Sequence, residues 1–113
     1  MRRKFSIVLI SLVAIISFSS NGFALDGKKL FKEKLCVNCH GESGIPLVKN
    51  YPILSGQNQK YLMNQTIDII SGKRKHGITV LMEKNPLLQS LEPKEVEAIT
   101  LYLSELKNGL PFP

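Results

Sequence analysis

Apolar residues recur at helical spacing in three stretches of this chain. They return every three or four positions in residues 27–35, in residues 58–71 and from Pro93 onward, with polar side chains between them. A period of about 3.6 residues places these side chains on one face of an α-helix. Asp26 is suited to cap the first helix and Gly72 to end the second. The pattern predicts an all-α domain with three main helices, the first of which runs into Cys36.

The segments between these helices show no such period. Glycine, proline and serine interrupt residues 41–57, and residues 76–92 are predicted to be irregular. Within the second segment, Asn85 and Pro86 suit the cap and first residue of a short helical turn. A long loop in a small domain usually has a function.

The first 24 residues have the three parts of a secretory signal peptide. A basic start is followed by the mostly apolar residues 5–20, and Gly22 and Ala24 stand at the −3 and −1 positions of a cut after Ala24. A retained membrane anchor is the alternative, but the apolar run is short and contains several serines. We therefore expect residues 1–24 to be removed, residues 25–113 to remain as one domain, and no stable membrane insertion afterwards.

Removal of this segment changes the size and charge of the chain. Of the 113 residues 89 would remain, and the net charge would fall from +6 to +3 because Arg2, Arg3 and Lys4 leave. So mild a charge does not indicate nucleic-acid binding, and we predict no nucleic-acid partner. A core this small gives only marginal stability unless a covalent link or a bound group adds to it.

The two cysteines of the chain stand in one short motif. Cys36 and Cys39 are separated by two residues, and His40 follows directly. The C-x-x-C-H pattern is typical of covalent haem attachment. Two thiols one turn apart can add to the two vinyl groups on one edge of the macrocycle, and the histidine then reaches the iron. The motif predicts one haem c per chain, bound through Cys36 and Cys39.

Two other uses of a C-x-x-C pair fit less well. A thioredoxin-like redox couple needs a βαβ context, whereas a helical pattern precedes Cys36. A zinc site would need further ligands, and His76 is the one other histidine. A bound haem would also supply the stabilisation that so small a core lacks, so we expect the mature chain without haem to be poorly folded. The loop at residues 41–57 would then wrap the haem.

Beyond this motif, the chain resembles the class I c-type cytochromes over nearly all of residues 26–107. It is most similar to the small single-haem bacterial type, which is like one half of the periplasmic two-haem cytochromes. The pieces that carry the resemblance occur in the family's order: Cys39-His40-Gly41, Ile45-Pro46, Tyr51-Pro52-Ile53-Leu54-Ser55-Gly56-Gln57, Tyr61-Leu62 and Gly72-Lys73-Arg74. The resemblance implies a class I cytochrome c fold, with three main helices and long loops around one covalently bound haem.

The resemblance also implies roles for single residues. His40 would be the proximal iron ligand, and the backbone carbonyl of Pro46 would accept a hydrogen bond from its other ring nitrogen. Gly27 and Phe31 would cross the last helix near Ile99 and Tyr102.

Met82 lies where the family places its distal iron ligand, and we predict that it binds the iron. The family typically has a proline two residues after this methionine, whereas Pro86 comes four residues after it here. Met63 falls within a predicted helix and is expected to be a core residue. His76 is the rival for the distal position, because imidazole is also a good iron ligand.

With both axial positions filled, the iron has no open site for a substrate. The sequence therefore predicts an electron-transfer protein rather than an enzyme: a soluble, periplasmic, one-electron carrier that exchanges electrons with other redox proteins. The alternatives are a haem subunit of a larger dehydrogenase, or a small-gas sensor or peroxidase if the distal site is open. Basic residues expected to rim the haem edge and steer an acidic partner are Lys49, Lys73, Arg74, Lys75 and Lys84.

Overall fold

The computed structural model describes residues 24–106, which form six α-helices. They are α1 (Gly27–Glu33), α2 (Val37–His40), α3 (Gln59–Ile70), α4 (Thr79–Glu83), α5 (Pro86–Gln89) and α6 (Pro93–Glu105). No β-strand occurs between residues 24 and 106. The predicted all-α class is confirmed, with α1, α3 and α6 as the three main helices.

The predicted signal peptide lies outside the described residues, except for Ala24. Within the described range, no helix combines the length and the apolar character needed to cross a membrane.

Side chains at the helix starts act as the sequence predicts. The Asp26 carboxylate accepts a hydrogen bond from the backbone N–H of Lys29 at 3.1 Å, which caps α1. The Asn85 side chain accepts from the N–H of Leu87 at 2.9 Å, and Pro86 is the first residue of α5. Each cap satisfies backbone donors that a helix start leaves without partners.

The first helix ends earlier than predicted, and the expectation that it runs into Cys36 is wrong. Leu35 has a φ of 61°, in the left-handed region. The N–H of Leu35 donates to the carbonyl of Lys32 at 3.0 Å, and the N–H of Cys36 donates to that of Phe31 at 3.1 Å. These two bonds form a Schellman motif, which usually has glycine where Leu35 stands. A leucine there costs about 1–2 kcal/mol and carries no sequence signal of a helix end.

The segment at residues 76–92 is also more ordered than predicted, because it contains α4 as well as the expected turn at α5. No side chain of α4 is buried. A five-residue helix without a buried face leaves no apolar period in the sequence, so the pattern could not reveal it.

Helices α1 and α3 both pack against α6. A Cβ atom added to Gly27 would lie 2.0 Å from the carbonyl oxygen of Ala98, so only glycine permits this approach. One turn further on, the rings of Phe31 and Tyr102 pack with centroids 6.1 Å apart. The predicted crossing of the first and last helices is thereby confirmed. The buried cluster at its centre consists of Phe31, Leu62, Ile99 and Leu103.

We predict that Gly27→Ala destabilises the haem-loaded protein by about 1–3 kcal/mol, the usual cost of overpacking. Alanine ordinarily stabilises a helix relative to glycine. A loss of stability in Gly27→Ala would therefore show that the close approach of α1 to α6 outweighs helix propensity. Thermal unfolding measures it, with Lys28→Ala at the adjacent exposed position as the control. Equal unfolding temperatures for the two variants would contradict the close approach seen here.

Candidate functional site

The Cys36–His40 motif folds into the single-turn helix α2. The N–H of His40 donates to the carbonyl of Cys36 at 2.9 Å, which stacks the start of the motif over its end. Cys36 is half-buried, Cys39 is exposed and His40 is only 5% exposed. The two cysteines form no disulfide with each other. One turn of helix thus presents two thiols and a buried imidazole on the same short stretch of backbone.

All three of these side chains line one cavity of about 640 Å³. This volume lies within the range of small-molecule and cofactor sites. Helices α1, α3, α5 and α6 supply apolar side chains to its wall. They include Phe31, Leu62, Ile69, Leu88, Ile99 and Leu103. The cavity therefore suits a large apolar group that is attached at the α2 side.

The surroundings of His40 favour the neutral imidazole. Its Nδ1 atom lies 3.4 Å from the backbone carbonyl oxygen of Pro52. Burial lowers the pKa of His40, although the Pro52 carbonyl opposes this shift. The neutral ring is the form that binds a metal, and a hydrogen bond to one nitrogen decides which other nitrogen is free. The Tyr51 ring packs edge-on against it, with centroids 6.3 Å apart.

The carbonyl beside His40 is that of Pro52, whereas the sequence analysis expected that of Pro46. Pro46 is not among the residues lining the described cavity, and Pro52 is. The path of the loop gives the reason. Gly41, with φ of 78°, lets the Ile45 carbonyl pack directly against it, so the chain folds back before Pro46. The N–H of Leu54 then donates to the carbonyl of Gly44 at 2.8 Å, which brings the second proline alongside the histidine.

The Cys36 thiol is unsuited to thiol–disulfide exchange. Burial raises its pKa to about 11. A redox couple of the C-x-x-C type needs a thiolate with a lowered pKa. At neutral pH Cys36 is therefore an uncharged, partly buried sulfur, which is also the state of a thioether.

Met82 and His76, the two candidates for the distal ligand, both line the cavity. Met82 lies on α4 and is half-buried, whereas His76 is exposed in the turn that precedes α4. This turn is closed by Thr79, whose hydroxyl accepts from the N–H of His76 at 2.9 Å and donates to its carbonyl at 2.8 Å. The structure thus brings Met82 into the same cavity as Cys36, Cys39 and His40, and keeps His76 at its edge.

The basic cluster after α3 is split by the fold. Arg74 lines the cavity, and its Nη1 atom donates to Oε1 of Gln65 at 2.8 Å. Nζ of Lys73 lies 3.9 Å from Oδ1 of Asp68, and Nζ of Lys75 lies 3.8 Å from Oε1 of Glu83. Neither of these lysines lines the cavity.

Another predicted rim residue, Lys49, is exposed and lines the cavity, whereas Lys84 is exposed and does not line it. The basic side chains that line the cavity are thus Arg74, Lys49 and Lys34. Of these Lys49 is exposed, and it marks the solvent-facing mouth of the cavity.

The family model for cytochrome c matches residues 24–107. This chain belongs to the cytochrome c family. Among its curated relatives is the cytochrome c4 of Pseudomonas aeruginosa, which is 34% identical over 76 residues, or 67% of this chain and 35% of that protein. The cytochrome c4 of Stutzerimonas stutzeri is 28% identical over 111 residues, or 93% of this chain and 53% of that protein. The matched part therefore spans a third to a half of these relatives.

Membership in the cytochrome c family implies a covalently bound haem c, and the donor set fits that group. Cys36 and Cys39 would supply the two attachment sulfurs, and His40 would offer an imidazole nitrogen at the same wall. Met82 adds a thioether sulfur, and Arg74 adds a cation that suits the carboxylates of a haem. Sequence reasoning missed Pro52 as the partner of His40, because nothing in the Tyr51–Gln57 piece of the family pattern distinguishes its carbonyl from that of Pro46.

Proposed function

We propose that this protein is a one-electron carrier with a single haem c bound through Cys36 and Cys39. His40 is the proximal iron ligand and Met82 the distal one. The observation that supports this best is that one cavity is lined by both thiols, the buried imidazole and the methionine. The relatives named cytochrome c4 support the same function.

Bound in this cavity, the haem supplies a reversible one-electron iron couple. The apolar wall keeps water away, and the Pro52 carbonyl orients His40 and raises the basicity of its ring. The Met82 thioether is a soft ligand, which favours the reduced iron and raises the reduction potential. With His40 and Met82 both bound to the iron, a substrate would find no free coordination position, which suits a carrier rather than a sensor or a peroxidase.

The proposal includes export to the bacterial periplasm. It is supported by the three-part pattern of residues 1–24 and by the use of both cysteines in an attachment motif. In that compartment a C-x-x-C pair would oxidise unless it were captured. Residues 25–113 then act there as one domain that carries one haem. Its partners are redox proteins that donate and accept single electrons.

The mouth of the cavity is the place where an electron enters and leaves. Lys49 is the exposed cation there, and among residues 24–106 it has no ion pair. Lys73 and Lys75 each face a carboxylate, and this opposite charge reduces the electrostatic attraction that either lysine exerts on a partner. We therefore assign the main steering of an acidic partner to Lys49.

Met82→Ala should abolish the weak long-wavelength band that a thioether sulfur gives with ferric iron. An optical spectrum of the purified oxidised protein measures this. His76→Ala is the matched control, because His76 lines the same cavity, and this variant should keep the band. A wild-type spectrum without the band, together with ready binding of carbon monoxide, would replace the carrier with the open-site sensor or peroxidase.

Lys49→Glu should slow oxidation of the reduced protein by the anionic oxidant ferricyanide by roughly 2- to 5-fold at low salt. The difference should vanish at high salt, because screening removes exposed charge effects. Stopped-flow rates measure it. Lys28→Glu, a reversal at an exposed α1 position that does not line the cavity, is the control. Equal slowing in both variants would show that only net charge matters.

A further inference from the structure

The segment that carries Met82 is poorly anchored by apolar packing. It leaves the end of α3 at Ile70 and runs through Arg74 and His76 to α4. Helix α4 buries none of its side chains. Ile78, which precedes it, and Leu81 within it are 43% and 59% exposed. Some other interaction must therefore hold α4, and with it Met82, at the cavity wall.

One side chain bridges the two ends of this segment. The Nε2 atom of Gln89 donates to the carbonyl of Ile70 at 3.1 Å and to the carbonyl of Glu83 at 2.6 Å. Ile70 is the last residue of α3, and Glu83 is the last residue of α4. A carboxamide nitrogen has two hydrogens, so one group can satisfy both helix-end carbonyls at once.

Gln89 can act as a clamp because its own position is well defined. It ends α5, whose start is capped by Asn85, and its N–H donates to the Asn85 carbonyl at 3.0 Å. The neighbouring Leu88 is only 8% exposed and lines the cavity. The glutamine therefore projects from a short helix that is itself anchored in the core. Arg74 ties the start of this segment to α3, through the Gln65 side chain and the Asp68 carbonyl. At its other end, Lys75 forms an ion pair with Glu83 at the surface, a kind of contact that contributes little.

We propose that Gln89 is a positioning residue for Met82. Because Gln89 bonds to the last carbonyl of α3 and to that of α4, it fixes the distance between the two ends of the segment that joins these helices. Met82, next to Glu83 in the chain, is then held at the cavity wall without a buried helix face. This inference rests on the proposed function, in which Met82 is the distal ligand.

The test is the affinity of the oxidised, haem-loaded protein for imidazole, a small ligand that competes with a thioether for ferric iron. Gln89→Ala should bind imidazole about 5- to 10-fold more tightly than wild type, the factor expected when one or two ordinary hydrogen bonds no longer oppose displacement of Met82. Its sulfur–iron band should also fade at a lower temperature than global unfolding. Gln89→Lys, whose ammonium group offers three donors, should restore most of the wild-type behaviour.

Gln59→Ala is the matched control. It removes a hydrogen bond of the same type, from Nε2 of Gln59 to the carbonyl of Glu97 at 3.3 Å, and Gln59 does not line the cavity. This variant should leave imidazole affinity unchanged. Wild-type affinity in Gln89→Ala, or an equal gain in both variants, would overturn the clamp while the sulfur–iron band preserves the proposed function. A wild-type protein without that band would overturn the assignment of Met82 and the clamp together.

Discussion

Every main helix of this protein contributes to the wall of one apolar cavity. The four side chains of the buried cluster, Phe31, Leu62, Ile99 and Leu103, all line it. The hydrophobic core and the cofactor site are thus the same set of residues. Because the same residues form the core and line the cavity, we expect the stability of this small domain to depend on the haem that its family implies.

The two sides of the cavity are built in different ways. On the attachment side, the approach of Gly27 to Ala98 sets the crossing of α1 and α6, and a bond from Cys36 to the Phe31 carbonyl ties the motif to that crossing. On the distal side, α4 rests on polar ties and buries no side chain. If His40 and Met82 bind the iron as proposed, one ligand stands in a rigid frame and the other on a segment held mainly by polar contacts.

The three consecutive basic residues after α3 occupy different environments in the fold. Lys73, Arg74 and Lys75 are adjacent in the chain and look equivalent in the sequence. In the fold, the N–H of Arg74 bonds to the Asp68 carbonyl at 2.9 Å, and its side chain turns to Gln65 at the cavity. The flanking lysines instead meet Asp68 and Glu83 outside the cavity. Three neighbouring charges thus have two environments: Arg74 lines the cavity, and the two lysines face carboxylates at the surface.

The sequence by itself determined the helix class, the capping residues and the attachment motif, because each depends on a local period or a residue type with one strong use. The crossing at Gly27 was implied by the resemblance to a known family. The sequence could not reveal the left-handed turn at Leu35 or the helix at α4, since neither has its usual glycine or apolar period. Only the tertiary structure decided between Pro46 and Pro52 as the partner of His40. Both prolines follow the motif at plausible distances, and the choice depends on how the loop folds back at Gly41, which is set by contacts between residues far apart in the chain.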